Sequence, residues 1–241
     1  MPVNDKPFAG CLIKFGEHEH LKDLREKGLL YCNPIQYFTS IEDQDLRGDD
    51  LENVVNLHYM ESGTVTISPV GEKPSASSTV MPFQNFRLTS RIVEPFGNLF
   101  CLFAINLLDK PIGDIFTISE RVKSFGDSFL LIYDSNTFLN RVRSAVRKHQ
   151  LKVNADLVEY IDFSRFTGKK TVFQKDLRFV YQQEWRLYIR SNKNEPIGLE
   201  IGSLEDISIW GSSKSIEQLL IAGRRVGDTT YTILSNLVDE P

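Results

Sequence analysis

Runs of apolar residues broken by short polar stretches dominate this chain, and most have strand length. CLIKF at Cys11–Phe15 and SFLLIY at Ser128–Tyr133 read as short, mainly apolar strands, and LFCLFAINL at Leu99–Leu107 is apolar enough for the centre of a sheet. VVNLHYM and TVTIS within Leu51–Ser68, and Phe83–Leu88, alternate instead, as half-buried strands do. Leu29–Cys32, Leu157–Phe163, Ile197–Ile201 and Ile207–Trp210 complete the strand set. Helical spacing appears in two longer places. One carries Leu21 and Leu24 and stops at Gly28; the other, Thr137–His149, aligns Phe138, Leu139, Val142, Ala145 and Val146 on one stripe. Asn33-Pro34 reads as the start of a short helix through Tyr37 and Phe38. Ser215 with Gln218 reads as a capping box opening a helix over SIEQLL, with Leu219–Ala222 ending it or leading into a strand. Pro69–Pro82 is a loop, not a linker, because strands resume directly after it. Strands outnumber helices and do not alternate with them strictly. The expectation is therefore a single α+β domain over 1–241 with a mostly antiparallel central sheet holding the 99–107, 129–133 and 179–189 strands.

The most informative stretch is FQKDLRFVYQQEWRLYI, Phe173–Ile189, which reads as one long strand. Trp185, Leu187 and Ile189 share one face; Gln182, Glu184, Arg186 and Tyr188 share the other. An amide, a carboxylate, a guanidinium and a phenol make a polar face suited to the floor of a cleft. The alternative is a half-buried strand whose Glu184 and Arg186 pair with neighbours or meet water.

Charge changes the picture locally. The net charge is −4, with 28 basic and 32 acidic residues. Glu42–Glu52 concentrates acids (Glu42, Asp43, Asp45, Asp49, Asp50, Glu52) around the single base Arg47, and is expected to be an exposed loop. Ser135–Ala155 carries Arg141, Arg143, Arg147, Lys148 and Lys152 and no acid, its helical part a solvated surface or a partner- or phosphate-binding face. This is a bipolar surface rather than that of a globally basic nucleic-acid binder. No apolar run approaches a membrane span, and MPVNDKPFAG has no secretory pattern. The three cysteines Cys11, Cys32 and Cys101 include no CxxC pair and lie among apolar residues. That is the usage expected of reduced thiols in a cytoplasm.

Motifs for chemistry are sparse. His18-Glu19-His20 places two imidazoles on diverging sides of a helix, and no third ligand stands in a metal-binding spacing. An EF-hand frame from Asp43 meets Arg47 and Val54 where ligands belong. A magnesium nuclease would use acids such as Asp43, Asp45 and Asp49, but would want a strand lysine beside them that the sequence does not mark. No GxSxG, Walker A or GxGxxG pattern occurs.

The order of the pieces carries a resemblance. HLKDLREKGLLYCNPIQYF, RGDDLE, LFCLFAI, FGDSFLLIYDSNTFLNRV, VEYIDF and FQKDLRFVYQQEWRLYI, spanning residues 11 to 210, resemble a family of uncharacterised bacterial proteins found near mobile elements and defence genes. More distantly the arrangement resembles ADP-ribosyltransferase toxins. These have a His or Arg on the first core strand, a small or aromatic motif on the second, and a catalytic Glu preceded two residues earlier by Gln or Glu. The resemblance implies a split-sheet fold and NAD as substrate. It implies Glu184 and Gln182 as the catalytic pair, with His18, His20, Tyr31, Tyr37, Arg178 and Arg186 around NAD. The histidines here follow the first strand rather than lie within it, and no Ser-Thr-Ser motif follows the second. In such chemistry a carboxylate steadies an oxocarbenium-like state, an aromatic stacks on nicotinamide and an arginine clamps the pyrophosphate.

The leading expectation is thus a cytoplasmic effector moving ADP-ribose from NAD to a protein or nucleic acid, a toxin of a toxin–antitoxin or phage-defence system with a possible antitoxin partner and no membrane association. The alternatives are a non-catalytic protein- or RNA-binding module, docking through the acidic loop and basic helix, and a metal-dependent nuclease. The transferase requires Glu184 in a cleft with an aromatic from Tyr31–Phe38 and an arginine. The module predicts Glu184 paired off, with no deep pocket.

Overall fold

The computed structural model describes residues 10–40, 48–68, 70, 78–94, 96–106, 115–216, 218–222 and 232–235. In chain order the elements begin with β1 (Gly10–Gly16), α1 (His18–Lys27), β2 (Leu29–Pro34) and α2 (Ile35–Ser40). A long hairpin follows, β3 (Val54–Ile67) and β4 (Thr79–Arg91), then β5 (Asn98–Asn106), β6 (Ile115–Thr117) and α3 (Glu120–Lys123). Next are β7 (Ser128–Ile132), α4 (Ser135–Lys148), β8 (Val153–Leu157), β9 (Glu159–Ile161), β10 (Gly168–Lys169) and β11 (Gln174–Asp176). A 3-10 turn, Leu177–Gln182, leads into β12 (Glu184–Ile189), β13 (Ile197–Glu200) and β14 (Ser208–Ser212). A 3-10 turn at Ser213–Ser215 precedes β15 (Gln218–Ala222) and β16 (Thr232–Ser235). The fold is α+β and mostly antiparallel, with β5, β7 and β12 together in its main sheet as expected.

That sheet forks at β5. Along one edge β5 pairs with β12, from Glu184↔Phe103 to Ile189↔Asn98, and β12 in turn pairs with β8. The other edge is divided. Its 103–106 end pairs with β1, and its 98–99 end pairs with β2. One branch continues β1–β7–β14, the other β2–β13. Strand alternation then builds two cores. Leu12, Leu102, Leu130, Trp185, Leu187 and Ile189 point to the face covered by α1 and α4, where Phe138 packs edge-on to Trp185 at 5.9 Å. Ile13, Phe103, Ile105, Phe129 and Leu131 point to the opposite face with Ile118, Val122 and Ile216. On this second face the β12 half carries Glu184 and Arg186. A small third cluster, Leu51, Val54, Leu57 and Phe163, forms at the root of the β3–β4 hairpin.

Local chemistry explains the helix ends. Gly28 closes α1 with φ +65 and donates its N–H to Asp23 O, the left-handed stop that glycine takes without strain. Asp134 caps α4 by accepting from Thr137 N at 2.9 Å, so the helix starts before Thr137.

Three expectations are corrected. Phe173–Ile189 is not one strand: residues 177–182 coil into a 3-10 turn, and Gln183 takes a left-handed φ of 39 before β12 begins. The capping box at Ser215 does not form, because residues 218–222 are drawn into β15 by pairing with β6 and β16. Pro34 ends β2, paired with Asn98, and the short helix begins one residue later at Ile35. The loop expected over Pro69–Pro82 gives way to strand at Thr79, where β4 begins pairing with Ile67; residues 69 and 71–77 lie outside the described residues. Among the described residues no helix is long and apolar enough to cross a membrane.

Candidate functional site

The polar face of β12 is sealed rather than open. Arg186 is 1 % exposed and Glu184 8 %. Arg186 donates through Nε to Glu184 Oε2 at 2.6 Å and through Nη1 to Glu52 Oε2 at 3.1 Å. Its Nη2 bonds Glu52 Oε1, and Nη1 also reaches the Val172 carbonyl at 2.6 Å. Lys175 Nζ donates to Glu184 Oε1 at 2.7 Å and to Gln182 Oε1 at 2.6 Å. Both carboxylate oxygens of Glu184 are therefore engaged. The Glu184 backbone N–H donates to the Tyr160 hydroxyl at 2.8 Å.

Each side chain arrives for a local reason. Alternation along β12 puts Glu184 and Arg186 on one face. The left-handed Gln183 folds the preceding turn back so that Gln182 joins them. β11 pairs in parallel with β9, bringing Lys175 opposite Tyr160. Glu52 comes from the turn before β3, whose amide donates to Asp49 O at 3.1 Å. Asp49 itself is buried and accepts the Leu51 N–H at 2.9 Å through Oδ1. Lys170, at 5 % exposure, completes the set. Three carboxylates (Asp49, Glu52, Glu184) thus oppose three cations (Lys170, Lys175, Arg186).

The electrostatics follow from that balance. Burial alone would raise Glu184 and Glu52, but Arg186 and Lys175, joined at Glu52 by Lys170, outweigh it, and both carboxyls are held below the usual carboxylate range. Arg186 is likewise driven up by its two carboxylates against the opposing effect of burial. Asp49 and Lys170 behave differently. Burial, reinforced by Glu52, raises Asp49; burial lowers Lys170 despite Glu52 and Asp49. Their Oδ2 and Nζ atoms are the two members of the network without a hydrogen-bond partner among the described residues. Burial pushes the thiols of Cys11, Cys32 and Cys101 up to about 12, which favours the protonated form at neutral pH.

The sequence-expected residues divide. Gln182, Glu184 and Arg186 come together. Arg178 lies outside the network, half exposed and paired with Asp50 at 2.8 Å. His18 lies against Trp210, ring centroids 4.5 Å apart, in an open hollow of about 540 Å³ lined also by Asp127, Ser128, Gly211 and Ser212. Three strands separate β12 from β14, so that hollow is roughly 20 Å from Glu184. His20 is exposed on α1. Tyr31 and Tyr37 are exposed by 56 % and 47 %, and Tyr37 packs edge-on to Phe38. From that aromatic segment the recorded link to the network is a backbone one, Asp49 N–H to Phe38 O at 3.2 Å.

The acidic segment is not uniformly exposed. Residues 41–47 lie outside the described residues, Asp50 is exposed, Glu52 is buried as the partner of Arg186, and Asp49 is buried with its Oδ1 accepting the Leu51 N–H. The strand lysine that the sequence did not mark exists as Lys175. Even so, among the described residues no three His, Cys, Asp or Glu side chains are grouped so as to hold a metal ion. Sequence reasoning missed Lys170, Lys175, Tyr160 and the pairing role of Glu52. Lys175 was legible in one respect, since it stands in the same FQKDL–QQEWR stretch as its partners. Comparison with known proteins finds no matching family model, curated protein or solved structure.

Proposed function

We propose that this chain acts by docking a macromolecule, as a non-catalytic binding module, and that the Glu184 network is its internal brace. One observation carries the reading: the carboxylate proposed for catalysis has both oxygens bonded to buried cations, so a substrate would have to displace Lys175 or Arg186 to reach it. Removing one partner of a buried pair strands a charge and costs several kcal/mol. The hollow at His18–Trp210 lies elsewhere, as does a second open one of about 460 Å³ lined by Tyr59, Asn85, Arg87, Ser164 and Arg165.

The docking element is the β3–β4 ribbon rather than the acidic loop and basic helix. In α4, Arg141 is tied to Asp206 at 2.5 Å and Arg143 to Asn140. No residue of β3 after Leu57, and none of β4, is buried. The ribbon extends roughly 30 Å beyond Leu57 and bears Ile67, Val80, Met81 and Leu88 exposed. A two-stranded ribbon with apolar side chains in water is marginal alone and gains by being covered. Trimming residues 62–84 to a two-residue Asn-Gly turn should abolish partner binding and leave the sheet folded, as read by co-purification and melting temperature. A trimmed chain that keeps its partners would sink the proposal.

A second reading remains, ADP-ribosyl transfer from NAD by an effector or toxin. Gathering of Gln182, Glu184 and Arg186 around a carboxylate held ionised supports it, as does the forked sheet. Incubation with labelled NAD and lysate separates the two. The module predicts no label transferred by wild type. Label transferred by wild type and lost in Glu184→Gln would favour the transferase.

A further inference from the structure

The hollow of about 540 Å³ at the start of α1 belongs neither to the buried network nor to the ribbon. Strand register builds its floor. Ser128 of β7 pairs with Ser212 of β14 on one side and with Gly16 of β1 on the other. Paired residues share a face, and Trp210, two positions before Ser212, shares it too. Two hydroxyls thus stand side by side on adjacent strands, and Gly16 brings no side chain to cover them. His18, at the first position of α1, closes one side with its ring against Trp210, and Asp127 stands beside it. Ser128 is 7 % exposed, lines the hollow, and makes no side-chain hydrogen bond among the described residues.

The other polar groups of the hollow are only partly used. Asp127 Oδ1 accepts the His18 backbone N–H at 3.1 Å and so caps α1, where Glu17 offers no side-chain cap. Its Oδ2 takes no hydrogen bond among the described residues. Ser212 Oγ makes two long bonds, donating to the Asp127 carbonyl at 3.5 Å and accepting the Lys214 N–H at 3.4 Å. The His18 imidazole and the Trp210 indole N–H make no hydrogen bond among the described residues. Donors and acceptors are therefore mixed along an aromatic wall. Asp127 is the one charged side chain in the lining, and the α1 N-terminus, equivalent to about half a positive charge, already lies on it. Around the rim the exposed charges balance, Glu17 and Glu19 against Lys22 and Lys214. Arg25, 5.3 Å from the Trp210 ring, is paired with Glu205.

We propose that this hollow binds a neutral carbohydrate, with sugar hydroxyls among Asp127, Ser128 and Ser212 and a C–H face of the ring against His18 and Trp210. Each hydroxyl of a sugar both donates and accepts, which matches a carboxylate oxygen and two serine hydroxyls standing together. The aromatic wall takes the apolar face of the ring. Other ligand classes fit less well. An anion would meet the Asp127 carboxylate. A cation would leave the Trp210 N–H without an acceptor, and an apolar molecule would strand the Ser128 hydroxyl and Asp127 Oδ2. The volume is that of a small-molecule site rather than a macromolecular one. The site is separate from the ribbon and goes beyond the docking reading.

The test is saturation-transfer NMR with the uncharged disaccharides maltose, cellobiose, lactose and diacetylchitobiose, and with spermidine and inorganic phosphate as charged rivals. At least one disaccharide should take saturation on its ring C–H protons at millimolar concentration. It should also shift the indole N–H resonance of Trp210 and leave that of the buried Trp185 in place. Ser128→Ala removes a hydroxyl that nothing among the described residues bonds. The melting temperature should therefore hold while affinity falls about threefold to tenfold, the effect of one lost hydrogen bond. His18→Ala, at an exposed site, should weaken the sugar by a similar factor. Binding of spermidine or phosphate with no disaccharide bound, binding of nothing in the panel, or sugar binding unchanged in both variants would overturn the proposal. Trimming residues 62–84 should leave sugar binding intact, so failure here and failure of the docking reading are told apart.

Discussion

A guanidinium sealed at 1 % exposure must have its donors met inside the protein, and Arg186 meets them with Glu52, Glu184 and the Val172 carbonyl. Glu184→Gln keeps the volume but leaves two carboxylates facing three cations, so it should cost about 3 kcal/mol, the low end for breaking a buried pair. Urea unfolding at neutral pH measures this, and a loss below about 1 kcal/mol would mean the network is solvated in solution. The pH dependence has a definite sign. Glu184 and Glu52 have folded pKa values below their unfolded value, near 4.3 for a glutamate. Their stabilisation is fully present above that value and is lost as pH falls below it. Asp49, raised by burial, pulls the other way. Wild type should therefore lose stability between about pH 5 and pH 3. Glu184→Gln should lose less over the same range, and parallel curves for the two proteins would remove Glu184 as a contributor.

Elements show where sequence patterns sufficed. Alternation in EWRLYI placed Trp185, Leu187 and Ile189 in the core and Glu184 and Arg186 opposite them. It could not show that Glu52, 134 positions before Arg186 in a run of acids, would close over that face; such pairing is a tertiary event with no local signal. Nor could it show the turn at 177–182, where apolar residues suited a strand but Gln183 adopts a left-handed backbone. Gly28 was legible because a left-handed helix stop selects glycine. There a Cβ would come within 1.9 Å of the Gly202 carbonyl oxygen. Gly28→Ala should thus cost more than the roughly 1 kcal/mol of the backbone conformation alone, about 2–4 kcal/mol in all. Thermal melting checks it, and a shift within about 2 °C would contradict the close approach of α1 to the 202 turn.

At the scale of the whole molecule, two features point in different directions. The main sheet is covered on both faces and braced by a charge-balanced network, while the β3–β4 ribbon stands outside it with no buried side chain past Leu57. The ribbon's strands were legible in the alternation of Leu51–Ser68 and Phe83–Leu88. Its isolation from the core was not, because an alternating strand reads the same whether its apolar face meets a core or water. The most direct measurement is quantitative co-purification from lysate, comparing wild type with the chain whose 62–84 segment is replaced by an Asn-Gly turn. The account predicts that specifically bound partner falls by about tenfold or more, with unfolding free energy unchanged within about 1 kcal/mol. The same partners recovered in the same amount by both chains would contradict it.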